Sequence, residues 1–284
     1  MKDKDVQRNR KHAAQPVVLS PTAPAPIRPA GPWILRLRPR NDARLRLFCF
    51  PYAGGAPASF RSWVDALPPE VDLCPVQLPG RGSRFGEPLI RKIADLIPAA
   101  ADALHRHLDV PFALFGHSLG ALIAFEFARE LRRRGWPQPV LLGVSGHEAP
   151  QCPDPEPPMA HLPDAEFLHE IRTRYDGIPA EVLAEEELLR LLLPVLRADV
   201  EILESHVYTL EPPLDCAIAC FGGDQDRRVS REDLEAWREQ TRGSFTLRVF
   251  AGGHFFIDSA RAAVLPALVE SLRPWTKPSA EVPA

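Results

Sequence analysis

The residues best suited to chemistry lie at positions 116–120, where the sequence G-H-S-L-G forms a G-x-S-x-G pattern. A short apolar run at 110–115 precedes the pattern, and an amphipathic helical pattern at 119–134 follows it. This context predicts a serine on a tight strand-to-helix turn, with its hydroxyl clear of both elements. The helix N-terminus beside it would stabilise negative charge that develops during acyl transfer. Ser118 is therefore the candidate nucleophile.

A serine nucleophile needs an imidazole to accept its proton and a carboxylate to orient that imidazole. His254 follows the apolar run at 245–250, and two carboxylates, Asp224 and Asp226, follow the run at 216–221. We favour Asp226, because it lies in a G-x-x-D-x-x-V setting typical of this loop, and we interpret Asp224 as a turn residue. The reverse assignment stays open. No histidine or cysteine group has metal-ligand spacing, so we predict neither a metal nor a cofactor.

The elements that must position these residues alternate along the chain. Apolar runs are separated by helical patterns, which predicts a mostly parallel central sheet flanked by helices on both faces. The chain order Ser118, Asp226, His254 is the order found in α/β-hydrolases. The sequence thus predicts an α/β fold of the α/β-hydrolase type. The alternating runs 34–38 and 45–50 are also predicted to pair as a hairpin that starts the sheet.

The alternation of strand and helix patterns stops near residue 150, where several prolines lie close together. We predict a core formed by residues 33–150 and 209–275, with an all-helical insertion at 151–208 that acts as a lid. Pro194 should kink or split the last helix of that insertion. Residues 1–32 are charged and then proline-rich, which predicts a disordered tail, and residues 276–284 are predicted to form a short C-terminal tail.

Composition excludes several functional classes. The net charge of −3 and the pI of about 6.3 do not favour nucleic-acid binding. The sequence contains no apolar run long enough to span a membrane and no signal-peptide core near its start. Its five cysteines are odd in number, and four lie in apolar strand-like runs. We interpret those four as buried free thiols of a cytoplasmic protein.

Several segments carry a family resemblance when they are taken together. They are FPYAGG, QLPGRGSR, GHSLG, FGGDQDRRVS, FAGGHFF, YDGIP at residues 175–179 and LPVLRADVEILESHVYTLEPPLDC. Over roughly residues 45–272 the chain resembles the type II thioesterases, which are free-standing editing enzymes of polyketide synthase and nonribosomal peptide synthetase systems. The resemblance implies an α/β-hydrolase that removes stalled or aberrant acyl groups from the phosphopantetheine arm of acyl or peptidyl carrier proteins. It implies no cofactor.

The resemblance also assigns roles to individual positions. It implies that Ser118 is the nucleophile, that His254 is the general base and that Asp226 orients the histidine. It further implies that the backbone N–H groups of Ala53 and Leu119 form the oxyanion hole.

Two alternative functions remain open at the level of sequence. The first is another hydrolase of the same fold, either an esterase for oxygen esters or a cyclising thioesterase. The second is a non-catalytic homologue that only binds carrier proteins, although a binding module would not need all three candidate catalytic residues. Comparing thioester with oxygen-ester turnover would test the first alternative. Labelling by a fluorophosphonate, which needs a reactive serine, would test the second.

Overall fold

The computed structural model describes residues 33–40, 42–175 and 185–277. The tail predicted for residues 1–32 and residues 278–284 of the predicted C-terminal tail lie outside these ranges. Both tail predictions therefore stay predictions.

Six parallel strands form the central sheet, in the order β2-β1-β3-β4-β5-β6. This confirms the predicted parallel sheet. Because parallel strands end at the same edge, the loops that follow them gather on one side of the molecule. The strands are β1 Leu45–Phe50, β2 Val71–Pro75, β3 Phe112–His117, β4 Leu141–Ser145, β5 Ala217–Gly223 and β6 Phe245–Phe250.

Helices cover both faces of the sheet. Strand β1 shows why, since Phe48 and Phe50 pack with helices on one face while Leu47 and Cys49 pack on the other. That alternation follows from the two-residue period of a strand. In the described ranges the α-helices are α1 Ile93–Leu104, α2 Leu119–Arg133, α3 Asp164–Tyr175, α4 Glu186–Glu204, α5 Arg231–Glu235, α6 Phe256–Ser259 and α7 Arg261–Thr276.

The predicted hairpin between residues 34–38 and 45–50 is wrong. Strand β1 lies inside the sheet and pairs in parallel with β2 on one side and β3 on the other, so neither of its edges is free. The preceding segment instead runs beside β2, where Ile34 forms an antiparallel bridge with Val76. The Leu35 N–H donates a hydrogen bond to the Pro75 carbonyl, with an N–O distance of 3.0 Å.

Between β4 and β5 the described residues contain the helices α3 and α4 and no strand. These helices share a small apolar cluster that includes Phe167, Ile171 and Leu196. Helix α4 continues through Pro194, so this proline does not split the helix, and the alternative of a kink stays a prediction. Proline removes the hydrogen bond to the carbonyl four residues earlier, but that residue, Arg190, is exposed and its carbonyl can bind water.

Two further sequence predictions have an outcome in the structure. All five cysteines are free, and Cys49, Cys74, Cys216 and Cys220 are buried as predicted. Within the described ranges, the structure contains no helix that is both long and apolar enough to cross a membrane.

Candidate active site

Ser118 lies at the junction of β3 and α2 in a strained backbone conformation. Its φ of 54° and ψ of −123° make it the only non-glycine residue with positive φ in the part of the chain that the structure describes. Such a conformation costs on the order of 1–3 kcal/mol and persists only where its surroundings enforce it. The Ser118 N–H is held by the Ser145 carbonyl of the neighbouring strand at 2.8 Å. The backbone is therefore tied to the sheet at the residue that bears the candidate nucleophile.

The two flanking glycines are required because the turn is too tight for side chains. A Cβ added at Gly116 would lie 1.9 Å from the Gly120 carbonyl oxygen. A Cβ added at Gly120 would lie 2.0 Å from the Phe50 carbonyl oxygen. Both distances are well below contact distance, so the glycines of the G-x-S-x-G pattern allow α2 to start directly against the ends of β1 and β3.

His254 and Asp226 meet at the carboxyl edge of the sheet, in the loops after β6 and β5. The His254 Nδ1 and the Asp226 Oδ2 are 2.9 Å apart. Both side chains are buried, with 4% and 1% of their surface exposed. The other Asp226 oxygen, Oδ1, accepts a hydrogen bond from the Arg228 N–H at 2.9 Å. A carboxylate on Nδ1 favours the tautomer whose Nε2 is free to accept a proton.

Asp224 faces a different partner. Its Oδ1 accepts a hydrogen bond from the Gly252 N–H at 2.9 Å, which ties together the loops after β5 and β6. The residue is exposed. The structure thus brings Asp226, and not Asp224, against His254.

Ser118 and His254 line the same cavities, but no hydrogen bond joins the Ser118 Oγ to the His254 ring in the described part of the chain. The His254 Nε2 is buried and has no hydrogen-bond partner among the described residues. Hydrogen bonds of this kind are often long without substrate and tighten in the reacting complex. The geometry leaves Nε2 available as the proton acceptor.

The two predicted oxyanion-hole residues flank the serine on different elements. Ala53 lies in the loop after β1 and lines a cavity together with Ser118 and His254. Leu119 is the first residue of α2, so its N–H has no partner within the helix. Its side chain is fully buried in the core. The loop that carries Ala53 is closed by a hydrogen bond from the Gly55 N–H to the Tyr52 carbonyl at 2.8 Å.

Two cavities meet at Ser118 and His254. The larger, about 510 Å³, is lined mainly by the segment after β4 and contains charged residues such as Glu148, Glu204 and Arg228. The smaller, about 290 Å³, is lined largely by apolar side chains of helix α4 and of the loops around the site, including Leu192, Leu196 and Phe255. Ser118 thus lines both a polar cavity and an apolar cavity.

His117, beside the serine, is a packed residue. It is fully buried, and its Nδ1 lies 3.0 Å from the Ser145 Oγ. Burial, followed by the neighbouring rings of His254 and His147, lowers the pKa of His117 well below its usual value. It is therefore neutral near pH 7 and adds no charge beside the site.

The sequence assigned no role to Tyr175, which begins the Y-D-G-I-P stretch of the family resemblance, and the structure places its ring against that of His254. Residues 176–179 of that stretch lie outside the described ranges. The two rings lie edge to face, with their centroids 5.1 Å apart. Tyr175 is the last residue of α3 and lines both cavities. Nothing in a short amphipathic helix pattern distinguishes a terminal tyrosine as a site residue.

Asp199 of α4 was also missed, and it forms a buried ion pair with Arg81. A signal for Asp199 exists in the sequence: it shares one helical face with Leu192, Leu196 and Leu203. A carboxylate on an apolar stripe needs a buried partner, which the sequence alone does not name.

The residues described here include no group of three or more His, Cys, Asp or Glu side chains arranged to hold a metal ion. The sequence model of the thioesterase domain family matches residues 45–276, which covers every strand of the sheet and each of the candidate site residues. The chain belongs to the thioesterase domain family. This thioesterase is accordingly a hydrolase that acts on thioesters.

Several proteins similar to this thioesterase are named for biosynthetic pathways. It is 44% identical over 242 residues to the protein LgrE of Brevibacillus parabrevis, covering 84% of this chain and 91% of the relative. Among solved structures, RedJ, a thioesterase from the prodiginine biosynthetic pathway in Streptomyces coelicolor, is 42% identical with a TM-score of 0.76 and covers 81% of this chain and 91% of RedJ. BorB, a type II thioesterase from the borrelidin biosynthetic cluster, is 38% identical with a TM-score of 0.77 and covers 85% and 98%.

LgrE bears the name linear gramicidin dehydrogenase. A dinucleotide-binding fold would carry a G-x-G-x-x-G turn after its first strand. The turn after β1 in this thioesterase reads P-Y-A-G-G, and the loop after β2 reads P-G-R-G-S-R-F-G. Neither turn has that spacing, so neither is a dinucleotide-binding turn of this type.

Proposed function

We propose that this thioesterase hydrolyses acyl thioesters carried on the phosphopantetheine arm of carrier proteins in a nonribosomal peptide or polyketide assembly line. Its task there would be the removal of stalled or aberrant acyl groups. One observation carries the proposal: an elbow serine and a buried His–Asp pair meet where a polar and an apolar cavity join. Relatives such as BorB, named for a biosynthetic cluster, support the assembly-line setting.

The first half of the reaction acylates the enzyme. The Ser118 Oγ attacks the thioester carbonyl and its proton passes to the His254 Nε2, while Asp226 stabilises the imidazolium through its 2.9 Å contact with Nδ1. The N–H groups of Ala53 and Leu119 stabilise the negative charge on the carbonyl oxygen. The C–S bond then breaks and the departing sulfur takes the proton from His254. An acyl ester on Ser118 remains.

The second half hydrolyses that ester. A water molecule gives a proton to the His254 Nε2 as its oxygen attacks the acyl carbonyl. The oxyanion collapses, the C–O bond to Ser118 breaks, and His254 returns the proton to the serine oxygen. The free acid leaves and the enzyme is restored without a cofactor.

The two cavities suit the two parts of such a substrate. The 290 Å³ cavity, with its leucine wall, suits the acyl chain, because each buried methylene group contributes about 0.8 kcal/mol. The 510 Å³ cavity contains charged and polar side chains that can satisfy the amides of a pantetheine arm. The carrier protein itself would stay outside.

The decisive experiment compares acetyl and propionyl groups loaded on holo carrier protein with the same groups on free pantetheine, with Ser118→Ala as the control. We expect faster clearing of the protein-bound thioesters and loss of both activities in the variant with the fold retained. The fold is checked by circular dichroism. Equal rates on both substrates would argue against carrier recognition.

Three further measurements on the same protein test the alternative functions: turnover of matched oxygen esters, the products from a longer acyl chain, and labelling by a fluorophosphonate. Turnover of oxygen esters alone would indicate an esterase, and release of a cyclic product from a longer acyl chain would indicate a cyclising enzyme. A wild-type protein that fails to react with a fluorophosphonate would be a non-catalytic carrier-binding homologue.

A further inference from the structure

The ion pair between Asp199 and Arg81 is the starting point, because it buries two charges that take no part in the mechanism above. The side chain of Asp199 is 0% exposed and that of Arg81 is 7% exposed. The pairing is bidentate: Arg81 Nη1 donates to Oδ2 at 2.6 Å, and Nη2 donates to Oδ1. A buried ion pair is weak evidence for a stabilising role, because apolar side chains of similar volume often leave the folded chain equally stable. Its presence therefore calls for another reason.

The Asp199 carboxylate accepts a third hydrogen bond, from a residue in the loop after β1. Its Oδ2 accepts a hydrogen bond from the Gly54 N–H, with an N–O distance of 2.7 Å. Arg81 Nη1 also lies 3.3 Å from the Gly55 carbonyl oxygen. The ion pair thus contacts consecutive residues of the loop that carries Ala53. Charge-assisted hydrogen bonds of this kind are among the stronger ones in proteins.

This loop needs an external anchor. Gly54 has a φ of +75°, and two adjacent glycines leave the backbone with wide conformational freedom. The peptide plane between Ala53 and Gly54 is set by the direction of the Gly54 N–H. Fixing that plane limits the backbone torsions of Ala53 and hence the direction in which the Ala53 N–H points.

We propose that Asp199, held in place by Arg81, is a positioning residue that aims the Ala53 N–H at the developing oxyanion. The inference rests on the proposed function of Ala53. It also joins two parts of the site, because α4 supplies both Asp199 and the leucines that line the apolar cavity. The helical insertion would therefore help to build the oxyanion hole of the core as well as the acyl cavity.

The test uses four variants of the full chain and a short acyl thioester of N-acetylcysteamine. For Asp199→Ala we expect kcat to fall about 10- to 100-fold, approaching the loss typical of a missing oxyanion donor, with KM changed less than about threefold. Asp199→Asn keeps the shape of the side chain and one acceptor oxygen, so we expect kcat to fall less than in Asp199→Ala. Arg81→Met should lower kcat, and the double variant Asp199→Ala/Arg81→Met should lose no more than Asp199→Ala alone, since both act through one contact.

A second readout separates positioning from a merely structural role. A trifluoromethyl ketone adds to the Ser118 Oγ, the serine proton passes to His254, and the former carbonyl oxygen takes the negative charge. We expect the affinity for this analogue to fall across the variants in proportion to kcat/KM. A loss of kcat/KM with unchanged ketone affinity, or additive losses in the double variant, would overturn the proposal.

The matched control is Glu201→Gln. Glu201 lies on the same helix and pairs with Arg91 of the core at 2.8 Å, away from the loop after β1. We expect its kcat to stay within about twofold of wild type. If Ser118→Ala is inactive while both Asp199 variants keep full kcat, the positioning role is wrong and the proposed function stands. If Ser118→Ala keeps its activity, the proposed function itself fails.

Discussion

At the scale of single residues, two aspartates in one loop differ in what they can do. Asp226 is buried against the His254 ring, whereas Asp224 is exposed and holds the Gly252 N–H. Both side chains are carboxylates, and they differ only in the direction in which they point from the loop after β5. A carboxylate in contact with the imidazole fixes its tautomer and stabilises its charged form, which an exposed carboxylate elsewhere cannot do.

We therefore expect Asp226→Asn to lower kcat by about 10³- to 10⁴-fold, because an amide favours the wrong imidazole tautomer. Asp224→Asn is its matched control and should lower kcat less than about tenfold, since the side-chain oxygen can still accept from the Gly252 N–H. Steady-state hydrolysis of one acyl thioester measures both. The opposite ranking would transfer the role to Asp224.

At the scale of elements, helix α4 lies against the loop after β1. A Cβ added at Gly54 would lie 3.3 Å from the terminal methyl carbons of both Leu192 and Leu196. The same two leucines line the smaller cavity next to Ser118. The helix thus sets the space available to an acyl chain as well as the position of the loop.

A larger side chain at Leu196 should shorten that cavity. For Leu196→Phe we expect kcat/KM for an octanoyl thioester to fall more than about tenfold, with acetyl turnover within about threefold, because a pocket discriminates by volume. Leu188→Phe, at a position of the same helix that is 51% exposed, is the control and should change neither. A parallel loss on both chain lengths would indicate general damage instead of a change in cavity shape.

At the scale of the whole molecule, a charge cluster joins the segment between α4 and β5 to helix α2. Glu211 lies 2.8 Å from Arg129, 2.7 Å from Arg132 and 2.6 Å from Arg133, all of them on α2. Partial burial alone would raise the pKa of Glu211, but hydrogen bonds from Arg132 and Arg133, with the charge of Arg129, lower it to about 2. The segment between α4 and β5 is thereby tied to α2, the helix that begins directly after Ser118.

This cluster predicts a pH-dependent stability. The pKa of Glu211 is lower in the folded chain than in the unfolded one, so its contribution is present above the usual value of 4.5 and lost as the pH falls towards 2. At pH 7 we expect Glu211→Gln to lower the free energy of unfolding by about 1–2 kcal/mol. Urea unfolding at pH 7 and at pH 3 would show the difference shrinking at the lower pH. A difference of the same size at both would contradict the assignment.

Much of the fold follows from local pattern. The G-x-S-x-G turn and the strand-to-helix alternation are each encoded by residues close together in sequence, and the order of serine, acid and histidine is read directly along the chain. Steric limits and hydrophobic periods act within a few residues, so they can be read without a fold. On that basis the sequence predicted a parallel sheet, and the structure confirms it.

What the tertiary structure alone decided depends on contacts between distant residues. Strand order left no edge of β1 for the predicted hairpin, and the backbone direction after β5 selected Asp226. Asp199 meets Arg81 across 118 residues and Gly54 across 145. These contacts form only when helices and strands pack against one another. The free energy of burying a charge depends on its partners in space and not on its neighbours in sequence. A single sequence therefore determined the chemistry this protein carries, and packing determined which side chains stand close enough to perform it.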